Sequence, residues 1–411
     1  MVRKKIFCAP LGGAGTKGLQ AGFRKNGRIV GVDIELGPGR RNESADMQFR
    51  SESWALWLGF GCTVLGVVVG LIGFANHRPD LAGYRSVGVF SAILAALTAS
   101  AGSIFGYLKV LSRTESWLLD FPLYRQIINA AALVILHAAI SAMAALVTFR
   151  IFQDAFLGLT VDRYAASLML GITAGIAAYV ALLSSARMTA QSLSTLLAAF
   201  MTTGVFISML GAENPYWWHS MFSALGTRDS GLTSFWTFNV TLVVSGMVLS
   251  TLTAFIVRDL IQMARIHDEL ARAQGKPRPR FIRPRPAVVR TCLLGLGASV
   301  ICIGLIPFNV SAPVHSAIVR IAAGFIVVLL LGAALWLPGF PWVFHLLSFA
   351  CFVGLVGAAL LWQPLAYYNL TAFELAVVGI VFGWLSVFIR TTDAALAVKK
   401  KELANVLAVN G

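Results

Sequence analysis

The chain has 411 residues, of which 57% are hydrophobic and only 12% charged, with a formal net charge of +15. A soluble domain carries about 25% charged residues, so one water-surrounded core does not account for this composition. The apolar residues fall in blocks of roughly 20, the length that crosses a hydrocarbon layer about 30 Å thick, and not in the period-two alternation of a membrane β-barrel. Inside lipid a chain must satisfy its own backbone hydrogen bonds, so the blocks read as helices. The predicted fold class is all-α: a polytopic transmembrane bundle of about ten spans.

The positive charge does not point to nucleic acid. The Lys and Arg residues gather outside the apolar blocks, where anionic lipid and the rule that orients membrane proteins account for them. Cys62, Cys292, Cys302 and Cys351 lie inside apolar runs and Cys8 near the start, a distribution that predicts small packed hydrophobes and no disulfide framework. The front of the chain has no apolar signal region, so the first span is expected to direct insertion.

Residues 1–53 hold ten Lys or Arg against five Asp or Glu and are rich in Gly. They read as a basic, largely flexible tail, with short strands in VRKKIF and GRIVGVDIEL. The run GGAGTKG at Gly12–Gly18 resembles a phosphate loop only superficially, because Gly18 follows the lysine and the four-residue gap is missing. Six spans are predicted over 54–257, near 54–74, 87–107, 126–149, 165–183, 192–210 and 235–257. The second is weakly apolar and rich in Ala, Ser and Gly. Gly66 and Gly70 in the first span, and Gly171 and Gly175 in the fourth, are small-xxx-small steps that let helices approach closely.

Residues 258–290 form the longest polar segment between spans, with nine Lys or Arg and three acids. Leu260, Met263, Ile266 and Leu270 keep helical spacing, so the first half is an extension of span six or a helix on the membrane surface. The second half, GKPRPRFIRPRP, contains too many prolines for a helix. It is extended and basic, and Arg278, Arg280, Arg283 and Arg285 are expected to contact anionic lipid head groups. Four closely set spans occupy 291–389, near 291–308, 315–337, 342–362 and 373–388. A short tail follows over 390–411.

With ten spans, the arginine-rich segments all fall on one side of the membrane. These are 1–53, 109–125, Arg187, 258–290 and the C-terminal tail. The opposite loops are short and nearly charge-balanced. Both termini are therefore expected in the cytoplasm, and the composition suggests a bacterial plasma membrane protein.

Ionisable groups within spans carry a functional hypothesis by default. His137 sits in the middle of span three. Arg320 lies about a turn and a half beyond His315 at the outer end of span eight, where it can snorkel to the interface, pair with Glu374 near the outer start of span ten or, unpaired, take an anion as ligand. The stretch 212–239, AENPYWWHSMFSALGTRDSGLTSFWTFN, places His219 and Arg228 among interfacial aromatics on that same side. With Asn239, His315, Arg320 and Glu374 these are the ligand-binding candidates. Asn239, Asn309 and Asn369 each begin an N-x-[ST] triplet, but their places at span ends read as helix caps or loop bonds. No H-E-x-x-H, paired-Cys or G-x-S-x-G motif occurs, so no metal or cofactor is expected; the outer histidines and Glu213 are also groups capable of acid–base chemistry, but no catalytic residue is assigned and the chain leans away from an enzyme.

The run Trp217–Asn239, with Ser223, Leu225 and Gly226 followed by Phe238 and Asn239, resembles the DUF998 family of bacterial membrane proteins. It resembles more distantly the Frag1/DRAM/Sfk1-like proteins. IPFNVSAPVH, with Pro307 and His315, echoes the family's later F-P-x-D…H feature, although Asn309 stands where an acid is common. The resemblance covers roughly 192–388. It implies a helical membrane protein, and through some relatives it lends weight to lipid handling.

Three functions follow as expectations. The first is binding or moving a lipid or small amphiphile through an outward-facing polar cavity lined by His219, His315 and Arg320. The second is a structural or regulatory subunit of a membrane complex. The third is a secondary transporter, for which inverted repeats and midspan carboxylates are lacking. The expected partners are membrane lipids, anionic by preference, and a protein partner.

Overall fold

A computed structural model describes residues 22–25, 28–31, 38–111, 122–273 and 283–410 of the chain. Near the front, strands β1 (Gly22–Lys25) and β2 (Arg28–Gly31) pair antiparallel. Ten long helices follow: α1 (Pro38–Gly73), α2 (Val87–Gly106), α3 (Leu123–Ala155), α4 (Arg163–Ala186) and α5 (Ala190–Leu210), then α6 (Leu232–Ala273), α7 (Pro286–Leu305), α8 (Ala312–Leu331), α9 (Trp342–Trp362) and α10 (Leu370–Asn410). Among the described residues, ten helices are long and apolar enough to cross a membrane, including the weakly apolar second span. The protein is an integral membrane protein of the all-α class.

The helices alternate in direction. One end of the bundle, the loop end, carries the connections 74–86, 156–162, 211–231, 306–311 and 363–369. The other, basic end carries both long helical extensions described below. Local chemistry sets several helix starts. The Ser86 hydroxyl accepts from Val89 N at 3.3 Å, and the Asp162 carboxylate accepts from Tyr164 N and Ala165 N at 2.9 and 3.2 Å. Thr189 and Ser192 form a reciprocal capping box at the start of α5.

Small residues decide which helices meet. A Cβ added to Gly66 would lie 2.6 Å from Gly171 Cα, and one on Gly70 would lie 2.6 Å from Ser167 Cα. The two small-xxx-small steps expected from the sequence therefore face each other and seat α1 against α4. Gly102 and Gly106 bring α2 equally close to α4 at Ala178 and Leu182. Gly246 and Gly297 do the same between α6 and α7. The result is a front group, α1–α4, and a rear group, α5–α10, arranged on α6.

α6 is the axis of the rear group: 72% of its most apolar window is buried, against 17% for α9. The largest hydrophobic cluster runs along it from Val244 to Leu270, with Leu193, Phe200, Leu293, Leu329, Trp384 and Phe388 from its neighbours. Trp384 Nε1 donates to Ser348 Oγ at 2.9 Å and so satisfies a polar atom within this cluster.

The long helices outrun the membrane. At ~1.5 Å per residue, α6 and α10 are each about 60 Å long, twice the hydrocarbon thickness. α6 continues unbroken through 258–273, so the first half of the basic segment is an extension of the span and not a separate surface helix. Beyond residue 389, α10 runs on as helix to Asn410. In these extensions Leu260, Met263, Ile266 and Leu270 of α6, and Ala395, Leu396 and Leu403 of α10, belong to one buried cluster. α1 likewise begins at Pro38, well before the apolar stretch. Within it Glu52 accepts from Arg187 at 2.7 Å and from Tyr179 Oη at 3.0 Å.

Candidate functional site

Two features of the bundle stand apart from its helix-on-helix packing. The first is the cap at the loop end, made by residues 212–231. Three short 3₁₀ turns fold this segment over the ends of α5, α6 and α10. Gly231, at φ +88, makes the sharp entry into α6 with the Glu213 side chain packed against it. Phe222, Leu225 and Phe238 form a small buried core beneath the cap.

Carboxamide and carboxylate groups pin the cap down. Asn239 Nδ2 donates to the carbonyls of Gly226 and Phe235, both at 2.9 Å. Asn369 Oδ1 caps α10 by accepting from Ala372 N at 2.9 Å, while its Nδ2 donates to Trp218 O at 2.8 Å. Glu374 accepts from Phe222 N at 2.5 Å and from Ser223 N and Ser223 Oγ at 3.3 Å. The reading of Asn239 and Asn369 as loop bond and helix cap agrees with this geometry, whereas Asn309 is exposed.

The expected outward cavity lined by His219, His315 and Arg320 is not what the geometry brings together. His315 is 5% exposed, and its Nδ1 lies 2.8 Å from Ile306 O, closing the α7–α8 turn. His219 is exposed and lies against the Trp218 ring, with centroids 3.9 Å apart. Arg228 is exposed on the cap. Glu374, expected to pair with Arg320, is engaged by loop amides instead, because a 3₁₀ turn offers unbonded N–H groups that a carboxylate satisfies directly. Arg320 points away from the bundle and is exposed. Among the described residues, no hydrogen bond or ion pair joins His219, His315 and Arg320 to one another.

His137 is 4% exposed, and its Nδ1 lies 2.8 Å from Leu133 O and 3.3 Å from Ser103 Oγ. A carbonyl only accepts, so Nδ1 carries the proton in this arrangement. Nε2 is buried without a partner among the described residues. This is a packed histidine bonded to its own helix. Of the four arginines expected at lipid head groups, Arg278 and Arg280 lie outside the described residues. Arg283 pairs with Asp268 at 3.1 Å, and Arg285 lies 5.4 Å above the Trp336 ring. Both have partners within the chain.

The second feature is a cleft of about 340 Å³ among α2, α3 and α4. α2 packs closely on both other helices, while α3 and α4 barely touch. α2 is therefore the floor and the other two are walls. Ala95 lies on the floor, with Ala144, Ala145 and Phe149 on one wall and Ile172, Ile176 and Ala177 on the other. The wall residues belong to the α3 half nearer the loop end and to the middle of α4. Two hydroxyls line the α3 wall, Ser141 and Thr148. Most intramembrane Ser and Thr side chains here bond a carbonyl one turn back, as Thr173 does to Met169 O at 2.8 Å. Among the described residues no such bond engages Ser141 or Thr148. The sequence reading missed this site. Its available signal was the run of small residues at helical spacing on α3, Ser141, Ala144, Ala145 and Thr148.

Above the cleft the connections are tied together. Gln153 Oε1 accepts from Leu81 N and Ala82 N at 2.8 and 3.1 Å, and Val161 N donates to Pro79 O at 2.9 Å. The cleft is thus fixed in shape by bonded loops at its end and close-packed glycines at its back. Among the described residues no group of three His, Cys, Asp or Glu is placed to hold a metal ion. No family model, curated protein or solved structure matches this chain.

Proposed function

We propose that this integral membrane protein binds the apolar part of a lipid or similarly built amphiphile in the α2–α3–α4 cleft. The observation that carries the reading is a preformed, mostly apolar cleft of about 340 Å³ whose open polar groups are the Ser141 and Thr148 hydroxyls. That volume is within the range of small-molecule sites, which are typically apolar with a few polar groups that orient the ligand. An alkyl chain fills the apolar length, and an ester or hydroxyl along it satisfies the two hydroxyls. The lipid-handling expectation attached to the DUF998 resemblance concerns 192–388. The cleft lies ahead of that stretch and supports lipid binding independently. By the excess of Lys and Arg, we assign the basic end to the cytoplasm of a bacterial cell, which leaves the cleft running from the middle of the membrane toward its outer side.

Native mass spectrometry of the gently extracted protein tests this. Ala144 lines the cleft from an exposed position, so Ala144→Trp fills it without disturbing the packed core. Wild type is expected to retain a defined lipid that falls at least tenfold in occupancy in Ala144→Trp and falls less in the Ser141→Ala/Thr148→Val double variant. The same lipid at the same occupancy in all three proteins refutes the proposal.

A further inference from the structure

Arg320 is a cation placed where a membrane protein should not leave one. With the short helical turn Ala333–Trp336 that continues it, α8 runs about 37 Å, somewhat more than the hydrocarbon layer. Arg320 lies about 12 Å along it from Ala312, inside the apolar span and in the half nearer the loop end. The residue is exposed, and among the described residues no hydrogen bond, ion pair or aromatic ring engages its guanidinium. Intramembrane arginines almost always face a bundle interior or a watery cavity, and they pair. This one faces outward from the bundle.

The surface around it is shaped for a helix. One turn to either side on the same face stand Ser316, Ala317, Ala323 and Gly324, all small. A Cβ added at Gly324 would meet nothing within 4 Å, in contrast to Gly171 or Gly246, which are filled by neighbouring helices. A collar of small residues lets a second backbone come close, and the arginine at its centre is left to supply the specific bond. α8 also has spare surface: only 22% of its apolar window is buried.

We propose that this face docks a transmembrane helix of a different protein that presents an Asp or Glu at the depth of Arg320, within the apolar layer. Charge decides the occupant. A second copy of this chain does not fit, because a two-fold contact would set Arg320 against Arg320. Glu374, which lies inside the loop-end part of α10, is already engaged by Phe222 and Ser223, so a second copy does not offer it as a free acid. A lipid phosphate sits at the membrane surface, and Arg320 reaches it only by leaning toward the helix start, the direction its Cβ already takes. That arrangement leaves the small-residue collar without a role, whereas a partner helix uses the collar and the charge together.

The test uses purified full-length protein in phosphatidylcholine vesicles and dye-labelled Leu/Ala spanning peptides with an Asp or a Leu at the depth of Arg320. Energy transfer reports association. The Asp peptide is expected to bind wild type at least tenfold more tightly than it binds Arg320→Ala, and more tightly than the Leu peptide binds wild type. Gly324→Leu, which blocks close approach at an open surface position, is expected to weaken the Asp peptide while keeping the fold. Equal binding of both peptides, or no loss in Arg320→Ala, overturns the proposal. So does a result in which adding phosphatidylglycerol abolishes the Asp preference and Arg320→Ala abolishes phosphatidylglycerol enrichment, since the occupant is then a lipid.

Discussion

Removing the Glu374 carboxylate isolates what holds the 212–231 cap in place. In Glu374→Ala the amides of Phe222 and Ser223 and the Ser223 hydroxyl lose their acceptor. A hydrogen bond to a charged group contributes about 1.5–3 kcal/mol net. The Phe222 bond at 2.5 Å counts at full weight, while the two Ser223 contacts at 3.3 Å are long and contribute little. Water at this half-buried position replaces part of the loss. The expected cost is about 2 kcal/mol, confined to the cap, and that corresponds to a roughly 30-fold larger open population. Hydrogen exchange read by mass spectrometry addresses the bonded amides directly. Peptides covering 217–226 should exchange roughly 30-fold faster in Glu374→Ala and by a smaller factor in Glu374→Gln, which keeps one acceptor oxygen. Peptides from α2 and α4 should not change. Unaltered exchange across 217–226, or acceleration spread evenly over the bundle, would refute the assignment of Glu374 as the local pin.

Two packing predictions follow from the same atoms. In Gly171→Leu the new Cβ would fall 2.6 Å from Thr63 O, on the backbone of α1, so the helices must separate. Overpacking of this kind costs about 1–3 kcal/mol or more and should lower the thermal midpoint in detergent, while Gly324→Leu at an open position should not. In Ser348→Ala the buried Trp384 indole loses its acceptor at 2.9 Å. A loss of about 1–3 kcal/mol is expected, read as earlier unfolding in a denaturant titration. A midpoint equal to wild type would show that the indole finds another partner.

The spans were legible in the sequence because hydropathy reports directly on the environment, and each apolar block corresponds to one helix. The ends of α6 and α10 were less legible for a physical reason. Hydropathy stops at the membrane surface, but helix formation does not, and ARIHDELARA continues α6 as an amphipathic stretch with Leu270 buried. Gly66, Gly70, Gly171 and Gly175 were each visible as close-approach steps. That they pair with one another was not, because a small residue advertises contact and names no partner. The pairing of Glu374 with Arg320 failed because charge matching along a sequence ignores the backbone. The amides of Phe222 and Ser223 are donors that no residue type reveals. The cleft escaped notice for a related reason, since it exists only because α3 and α4 diverge over α2.

The cleft and the Arg320 face are both open to the membrane, and they differ in what they can accept. The cleft presents methyl groups and two hydroxyls and carries no charge, so an alkyl chain enters it without stranding an ion. The Arg320 face presents a cation in a region of low dielectric, where an unpaired charge is costly and an opposite charge relieves it. The two sites also belong to different helix groups. α2, α3 and α4 form the first, whereas α8 packs on α7 and α9. Nothing in the geometry makes one depend on the other, so both ligands can be held at once. The crossed comparison is therefore decisive. Ala144→Trp should release the lipid and leave the Asp-peptide association unchanged, and Arg320→Ala should do the reverse. If each variant instead abolished both, the front and rear groups would have to move as a coupled pair. The most direct route for that coupling is the contact of α3 with α6, where Leu133 and Leu136 join the cluster built along α6.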